Sequence, residues 1–199
     1  MSHFPGIDVA PDVIRAACAG DARAHEAIYR SCERQVYTLI RRLVPRPAIA
    51  DELFQETFVE VLRSIRDYSG QGSFAGWVRS IAVNKCLMYL RSPWHRSLMF
   101  LEDQAADSPV EWKDPGSGPE IEAQAGNDIE RALAMLPPLT RSIVWLHDVE
   151  GYTHGEIARL VGRTTSFSKS QVARAHARMR ELLDPQAESL SCTHVSNNC

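Results

Sequence analysis

The chain has 199 residues, 44% hydrophobic and 24% charged, the make-up of a soluble globular protein with room for one large or two small domains. A net charge of only -3 excludes a uniformly basic nucleic-acid coat, so any DNA contact must come from local patches. No run is long and apolar enough for membrane insertion, and the opening MSHFPGIDVAPDV lacks the basic start and apolar core of a secretory signal, so a cytoplasmic location is expected, with the five cysteines as thiols.

Residues 1–11 read as a leader. Asp12 can cap a helix from about Val13, carrying Ile14, Ala17 and Cys18 and broken at Gly20-Asp21. A longer helix over Ala22 to Val44 bears an apolar stripe of Ala24, Ala27, Ile28, Val36, Leu39, Ile40 and Leu43, with Arg30, Arg34, Arg41 and Arg42 on other faces, and Pro45 and Pro47 end it. Ala48 or Asp51 starts the next, with core positions Leu53, Phe54, Phe58, Val61, Leu62 and Ile65. Its acidic half, Asp51, Glu52, Gln55, Glu56 and Glu60, suits the helix dipole and reads either as a solvated face, which spacing alone favours, or as a dock for a basic partner.

Ser69 to Ser73, SGQGS, is a short flexible loop, and Phe74-Ala75-Gly76-Trp77 opens a helix reaching Arg91. Phe74 and Trp77 are either core residues or, beside Arg79, Asn84, Lys85 and Arg91, an aromatic platform and cationic rail for an unstacked base. Helical periodicity stops at about Ser97. Residues 97–127, with Pro109, Pro115, Pro119, Gly116 and Gly118 and many carboxylates against Lys113, form an acidic, extended linker. It separates domains over 12–96 and 128–184, both helical, which makes the fold all-α.

In the second domain Ile129, Leu133, Met135 and Leu136 precede Pro137-Pro138, and Thr140 is placed to cap a helix packed through Ile143, Val144, Leu146 and Val149. Thr153 and Glu156 have capping-box spacing, Ile157, Ala158, Leu160 and Val161 give an apolar face, and Gly162 supplies a left-handed stop. Ser166 can cap the last helix, whose apolar positions are Phe167, Val172, Ala175, Met179, Leu182 and Leu183. Helix, glycine turn and polar-fronted helix make a helix-turn-helix. From Ile157 to Arg180 there is no Asp or Glu, while Arg159, Arg163, Lys169, Arg174, Arg178 and Arg180 are cations, the one-sign charge that phosphate contact needs. Ser166, Ser168, Lys169, Ser170 and Gln171 crowd its front, where base edges are read.

Three blocks carry a resemblance to the extracytoplasmic-function (ECF) group of bacterial sigma factors. Asp51 to Phe58 resembles the family's core-polymerase helix, Ser73 to Asn84 its promoter-melting segment, and Leu136-Pro137-Pro138, Asp148 to Tyr152, Glu156-Ile157-Ala158 and Ser166 to Arg180 its DNA-binding domain. The resemblance implies an alternative sigma factor that binds core RNA polymerase and promoter DNA and starts promoter melting. Asp51, Glu52, Gln55 and Glu56 would meet the polymerase. Ser69, Gly70, Ser73, Phe74, Trp77, Arg79 and Asn84 would bind the minus-ten element. Arg163, Ser166, Ser168, Lys169, Ser170, Gln171, Arg174 and Arg178 would bind the minus-thirty-five element, with Arg163 and Arg178 on backbone. Such factors are commonly held inactive by an anti-sigma protein or another switch.

Two departures stand out. Lys169-Ser170-Gln171 replaces the family's frequent Lys-Ser-Arg, and Leu87-Met88 stands where it has Arg-Asp. The rival readings are a stand-alone helix-turn-helix regulator, which would bind duplex DNA alone as a two-fold dimer, and an enzyme, for which there is neither a phosphate-binding glycine loop nor a nucleophile elbow. No catalytic residue and no cofactor are assigned. In the tail, 185–199, Cys192, His194 and Cys199 are weak candidates for a metal or redox sensor, while Cys18, Cys32 and Cys86 read as core thiols.

Overall fold

Helix boundaries here follow local chemistry more finely than periodicity alone suggests. The computed structural model describes residues 7–92 and 128–183; the linker read at 97–127 and the tail with Cys192, His194 and Cys199 lie outside them. Helix α1 runs Pro11–Cys18 with Pro11 in its first turn and Ala10 at the N-cap, so Asp12 does not cap; it lies inside the first turn, where its charge suits the dipole. Asp21, more than a breaker, caps α2 (Ala22–Leu43) by accepting from the amides of Arg23 at 2.8 Å and Ala24 at 3.4 Å. Pro47 does not only end α2. It opens α3 (Pro47–Ser64), because a first-turn proline gives up no helical hydrogen bond.

Within these helices two expected core positions move outward. Ala27 is exposed, and Leu62 is 38% exposed. Thr57 is buried instead, its hydroxyl satisfied by the Leu53 carbonyl at 2.6 Å. A 3₁₀ turn, Ile65–Asp67, leads to the glycine-serine loop, and α4 spans Phe74–Arg91 with Ser73 as its N-cap.

The second module begins with α5 over 128–134. Helix α6 is Pro138–Val144, continuing as a π turn over Trp145–Val149. Thr140 therefore sits inside α6 rather than capping it, and Val149 is 58% exposed rather than core. Helix α7, His154–Val161, has the expected Thr153–Glu156 capping box and ends on Gly162 at φ 62°, ψ 41°. Helix α8 is Thr165–Leu183. Its cap is Thr164, whose hydroxyl accepts from the Phe167 amide at 3.2 Å, two residues before the expected Ser166. Among the described residues no strand occurs.

One apolar cluster runs through both modules: Ile28, Ile40, Leu43 and Leu87 from the first, Ile143, Leu146, Ile157 and Val161 from the second. Helix α4 makes this possible. It is buried at Ala75, Val78, Ala82 and Cys86 and again at Arg79, Val83, Leu87 and Leu90, more than one stripe of its circumference. A helix covered on two faces is a buried helix, and α4 packs against α2 and α3 and also against α6 and α7. A smaller cluster of Leu136, Val144 and Ala175 seats α8 on α6.

Candidate partner and nucleic-acid interfaces

Asp51, Glu52, Gln55 and Glu56 are all exposed on α3. The helical repeat sorts them into two pairs four residues apart, Asp51 with Gln55 and Glu52 with Glu56. Asp51 and Gln55 border a groove of about 530 Å³ whose apolar walls include Tyr29, Tyr37 and Phe54. Glu52 and Glu56 border another of about 340 Å³ with Lys85 and Met88. The Tyr37 hydroxyl donates to Asp51 Oδ1 at 2.8 Å, and that bond raises the Tyr37 pKa above its ordinary value. Glu56 stands 3.5 Å from Lys85 Nζ. Tyr37 escapes a sequence reading because it lies on another helix, fourteen residues before its acceptor.

The loop after the 3₁₀ turn is pinned. Gly70 and Gly72 take φ of 72° and 83°, open to glycine without strain, and the Tyr68 hydroxyl donates to the Gly72 carbonyl at 3.0 Å. Tyr68, Phe74 and Trp77 pack as a trio with centroid separations of 5.2 to 5.5 Å. Phe74 is buried and Trp77 half-buried, so Phe74 works as the floor and Trp77 keeps an exposed part. Ser69, Gly70, Ser73 and Asn84 are exposed. Tyr68 is a member the sequence reading passed over, although an aromatic directly before a glycine-serine loop is a usable signal.

Arg79 is placed differently from its neighbours. It is 4% exposed and turned into the second module. Its guanidinium donates to the Glu150 carbonyl at 3.0 Å and to the Tyr152 hydroxyl at 3.4 Å, lies 3.5 Å from Glu150 Oε2, and stacks 4.5 Å from the Tyr152 ring centroid. In this conformation it cannot reach DNA, contrary to its reading as an open minus-ten contact; a buried guanidinium needs a counter-charge, and Glu150 supplies it.

On the helix-turn-helix, Arg163, Ser166, Lys169, Arg174 and Arg178 are exposed. Arg178 pairs with Glu181 at 3.1 Å. Ser168 is not presented to a base edge. It is fully buried, its hydroxyl 3.1 Å from His154 Nδ1. Gln171 is half-buried, its Oε1 accepting from the Thr140 hydroxyl at 2.7 Å, and the Ser170 hydroxyl donates to the Phe167 carbonyl at 2.9 Å. These polar side chains help to hold α8, while Lys169 and Arg174 stay exposed on it.

A second polar cluster braces the same helix. Asp148 bridges His147 Nδ1 at 2.8 Å and His176 Nε2 at 2.6 Å, and the rings of His147 and His154 stack at 4.2 Å. Burial works to raise the Asp148 carboxyl, but hydrogen bonds from both histidines outweigh it and hold it below its ordinary value. Burial first, then His147 and Lys169, lower His154. Hydrogen bonds from the Thr153 side chain and backbone lower Glu156. Among the described residues no group of three or more His, Cys, Asp or Glu side chains is placed to hold a metal ion.

Comparison with known proteins falls on both modules. Residues 28–96 match the family described as Sigma-70 region 2, and residues 126–179 match Sigma-70, region 4. The chain is 32% identical over 161 residues to the ECF RNA polymerase sigma factor SigE of Mycolicibacterium smegmatis, covering 79% of this chain but only 61% of that relative. It is 28% identical over 172 residues to the ECF RNA polymerase sigma factor SigM of Mycobacterium tuberculosis, covering 86% of this chain and 83% of the relative. In fold it is similar to the sigma factor RpoE solved in complex with the anti-sigma factor NepR from Bartonella quintana, with a TM-score of 0.57 at 18% identity over 83% of this chain and 99% of that one. It is also similar to CnrH solved with the cytosolic domain of CnrY, with a TM-score of 0.50 at 19% identity over 88% of this chain and 97% of that one.

Proposed function

This chain belongs to the sigma-70 family, in its ECF group, and from that premise we propose that it is an alternative sigma factor, binding core RNA polymerase through α3 and reading promoter DNA through the loop before α4 and through α8. The carrying observation is that one chain joins an exposed acidic helix to a helix-turn-helix that has no Asp or Glu from Ile157 to Arg180 and whose Lys169 and Arg174 are exposed. Polymerase and DNA are both large, charged surfaces, and each of these faces has the opposite sign to the partner assigned to it. The chain is then a specificity subunit and not an enzyme, acting where polymerase acts, in the cytoplasm.

In this reading Asp51 with Gln55 and Glu52 with Glu56 engage polymerase along the two grooves they border, the Tyr29–Tyr37–Phe54 wall adding apolar contact. Ser69, Gly70, Ser73, Trp77 and Asn84 meet the unpaired minus-ten strand. Extruding a base costs a few kcal/mol, which stacking on an aromatic can offset at about 1–3 kcal/mol per base. Lys169 and Arg174 enter the major groove at minus thirty-five, and Arg163, Ser166 and Arg178 touch phosphate, which positions without specifying. The RpoE structure was solved with an anti-sigma factor, and we extend that class of regulator to this chain as its antagonist.

Run-off transcription with purified core enzyme, with and without the chain, tests the proposal. New start sites that depend on the chain are expected. Arg174→Ala should weaken promoter recognition and reduce the slope of log affinity against log salt by roughly one, while leaving core binding intact. Asp51→Ala with Gln55→Ala should do the reverse. Tight duplex binding by the chain alone, as a dimer and without effect on polymerase, would instead establish the stand-alone regulator.

A further inference from the structure

Helix α8 has two polar anchors, and two of its exposed cations lie between them. Ser168 is fully buried with its hydroxyl 3.1 Å from His154 Nδ1 in the first turn of α7, and His176 Nε2 lies 2.6 Å from Asp148 Oδ2 on the π turn. Eight residues separate Ser168 from His176, about 12 Å of helix at roughly 1.5 Å per residue. A helix tied at one point can pivot, whereas ties that far apart fix its direction as well. Exposed Lys169 and Arg174 fall inside that span.

A third imidazole joins the anchors. His147 Nδ1 lies 2.8 Å from Asp148 Oδ1, and its ring stacks on that of His154 with centroids 4.2 Å apart. His147 and Asp148 both sit on the π turn, which closes through the Glu150 amide on the Trp145 carbonyl at 3.1 Å; such turns are rare and gather at functional sites. One carboxylate thus serves this cluster of imidazoles, with Lys169 as a further cation beside His154. The other charges around α7 and α8 have their own places. Glu156 sits in the Thr153 capping box with Arg159 beside it, Arg79 and Arg91 of α4 meet Glu150 and the Leu160 carbonyl, and α6 brings the half-buried Arg141.

A neutral His154 ring suits this position and a charged one does not. Neutral, its Nδ1 accepts from the Ser168 hydroxyl while its face stacks on His147. Charged, both ring nitrogens can only donate, and the charge lies beside Lys169 and against an imidazole that titrates in the same range. Burial first, then His147 and Lys169, hold His154 below its ordinary value, against the pull of Asp148. The hold on α8 is therefore complete above about 6.5 and is lost as pH falls through the folded value. Asp148, held below the ordinary carboxylate value, keeps its charge throughout that window.

We propose that His154 and the Asp148–His176 pair position α8 for the minus-thirty-five element, and that protonation of His154 withdraws the first anchor, so that this chain reads promoters less well in acid. The release stands on the geometry of the cluster; its effect on promoters rests on the sigma-factor reading. The sign is diagnostic, because added positive charge by itself would tighten binding to phosphate in acid.

The test has two arms, each run at pH 7.5 and 5.0 on wild type, His154→Gln and His154→Ala. In the free full chain, amide exchange corrected for intrinsic rate should show Lys169 to Val172 losing protection in acid in wild type. His154→Gln, which stays neutral and can still bond Ser168, should keep that protection, and His154→Ala should lack it at both pH values. In the second arm, each chain with core polymerase is titrated onto the promoter duplex mapped by run-off. If acid leaves α8 held in about one chain in ten, wild-type affinity falls about tenfold relative to His154→Gln, and His154→Ala is weak throughout. Comparison between variants cancels the pH dependence of polymerase itself, and rescue by Gln but not Ala separates positioning from misfolding. Identical exchange profiles in wild type and His154→Gln overturn the proposal, as does wild-type promoter affinity that holds or rises in acid. Release of α8 by exchange, with no transcription that depends on the chain, sinks the sigma-factor reading and spares the release; chain-dependent transcription without that release does the opposite.

Discussion

Ser142→Ala removes a buried hydroxyl whose absence has a calculable effect. Ser142 is fully buried, and its hydroxyl lies 3.0 Å both from the Pro138 carbonyl of its own helix and from the Leu43 carbonyl at the C-terminus of α2. The usual donor to that carbonyl would be the amide four residues on, but residue 47 is proline and has no N–H. The hydroxyl therefore satisfies a carbonyl that its own helix cannot. Leaving a buried acceptor without this donor costs about 1–3 kcal/mol. In a chain of this size each kcal/mol shifts Tm by roughly 2–4 °C, so the expected fall is about 2–12 °C. Urea and thermal unfolding followed by circular dichroism would read it. The control is Thr38→Ala, an exposed hydroxyl bonded to the Arg34 carbonyl of its own helix, where a change within about 0.5 kcal/mol is expected. If Ser142→Ala unfolds at the same urea midpoint as that control, the carbonyl has another adequate partner and the reasoning fails.

Gly162→Ala should cost about 1–2 kcal/mol, because Gly162 holds φ 62° and an added Cβ would sit 2.9 Å from Arg91 Nη2, displacing the guanidinium that bonds Leu160; an unchanged urea midpoint would contradict this. Acid should loosen the second module first. Asp148 and Glu156 are held below ordinary carboxylate values, so the unfolded chain takes up protons before the folded one; their stabilisation is complete above the ordinary range and disappears as pH falls through the folded values. His154 is lowered too, so its share is complete above about 6.5 and declines as pH drops through its folded value. Amide exchange, corrected for intrinsic rate and compared between pH 7 and 4, should show α7 and α8 losing protection before α2 and α3; the reverse order would refute the assignment. Burial pushes the Cys32 thiol up to about 11 and Cys86 to about 12, so at pH 8 the thiolate fraction is on the order of one in a thousand or less. Iodoacetamide on the native chain should spare both while labelling the half-buried Cys18 far faster, as read by peptide mass; equal labelling would mean that the core opens readily.

What the sequence determined by itself is whatever short-range chemistry can specify. The Thr153–Glu156 box and the left-handed Gly162 set the two ends of α7 within ten residues, and each does so in the structure as read from the chain. The acid-free run from Ile157 to Arg180 needs no coordinates either. Even the local errors were local in origin: Thr164 took the cap from Ser166, and Pro47, read as a stop, was also a start, since a first-turn proline loses no helical bond. Leu87 and Met88 show where local reading ends. Adjacent on α4, one is fully buried and the other 66% exposed, a difference set by which neighbours cover each side of the helix.

Only the tertiary structure decided which polar side chains face outward. Arg79 and Lys169 are indistinguishable as cations in a sequence, yet one is buried against Glu150 and Tyr152 while the other is exposed. Ser168 and Gln171 turned inward because His154 and Thr140, fourteen and thirty-one residues away, stand opposite them. Caps and turns are fixed by neighbours along the chain. A buried ion pair or a cross-module hydrogen bond is fixed by the mutual placement of helices, and that placement is a property of how whole apolar surfaces fit, which no single segment carries.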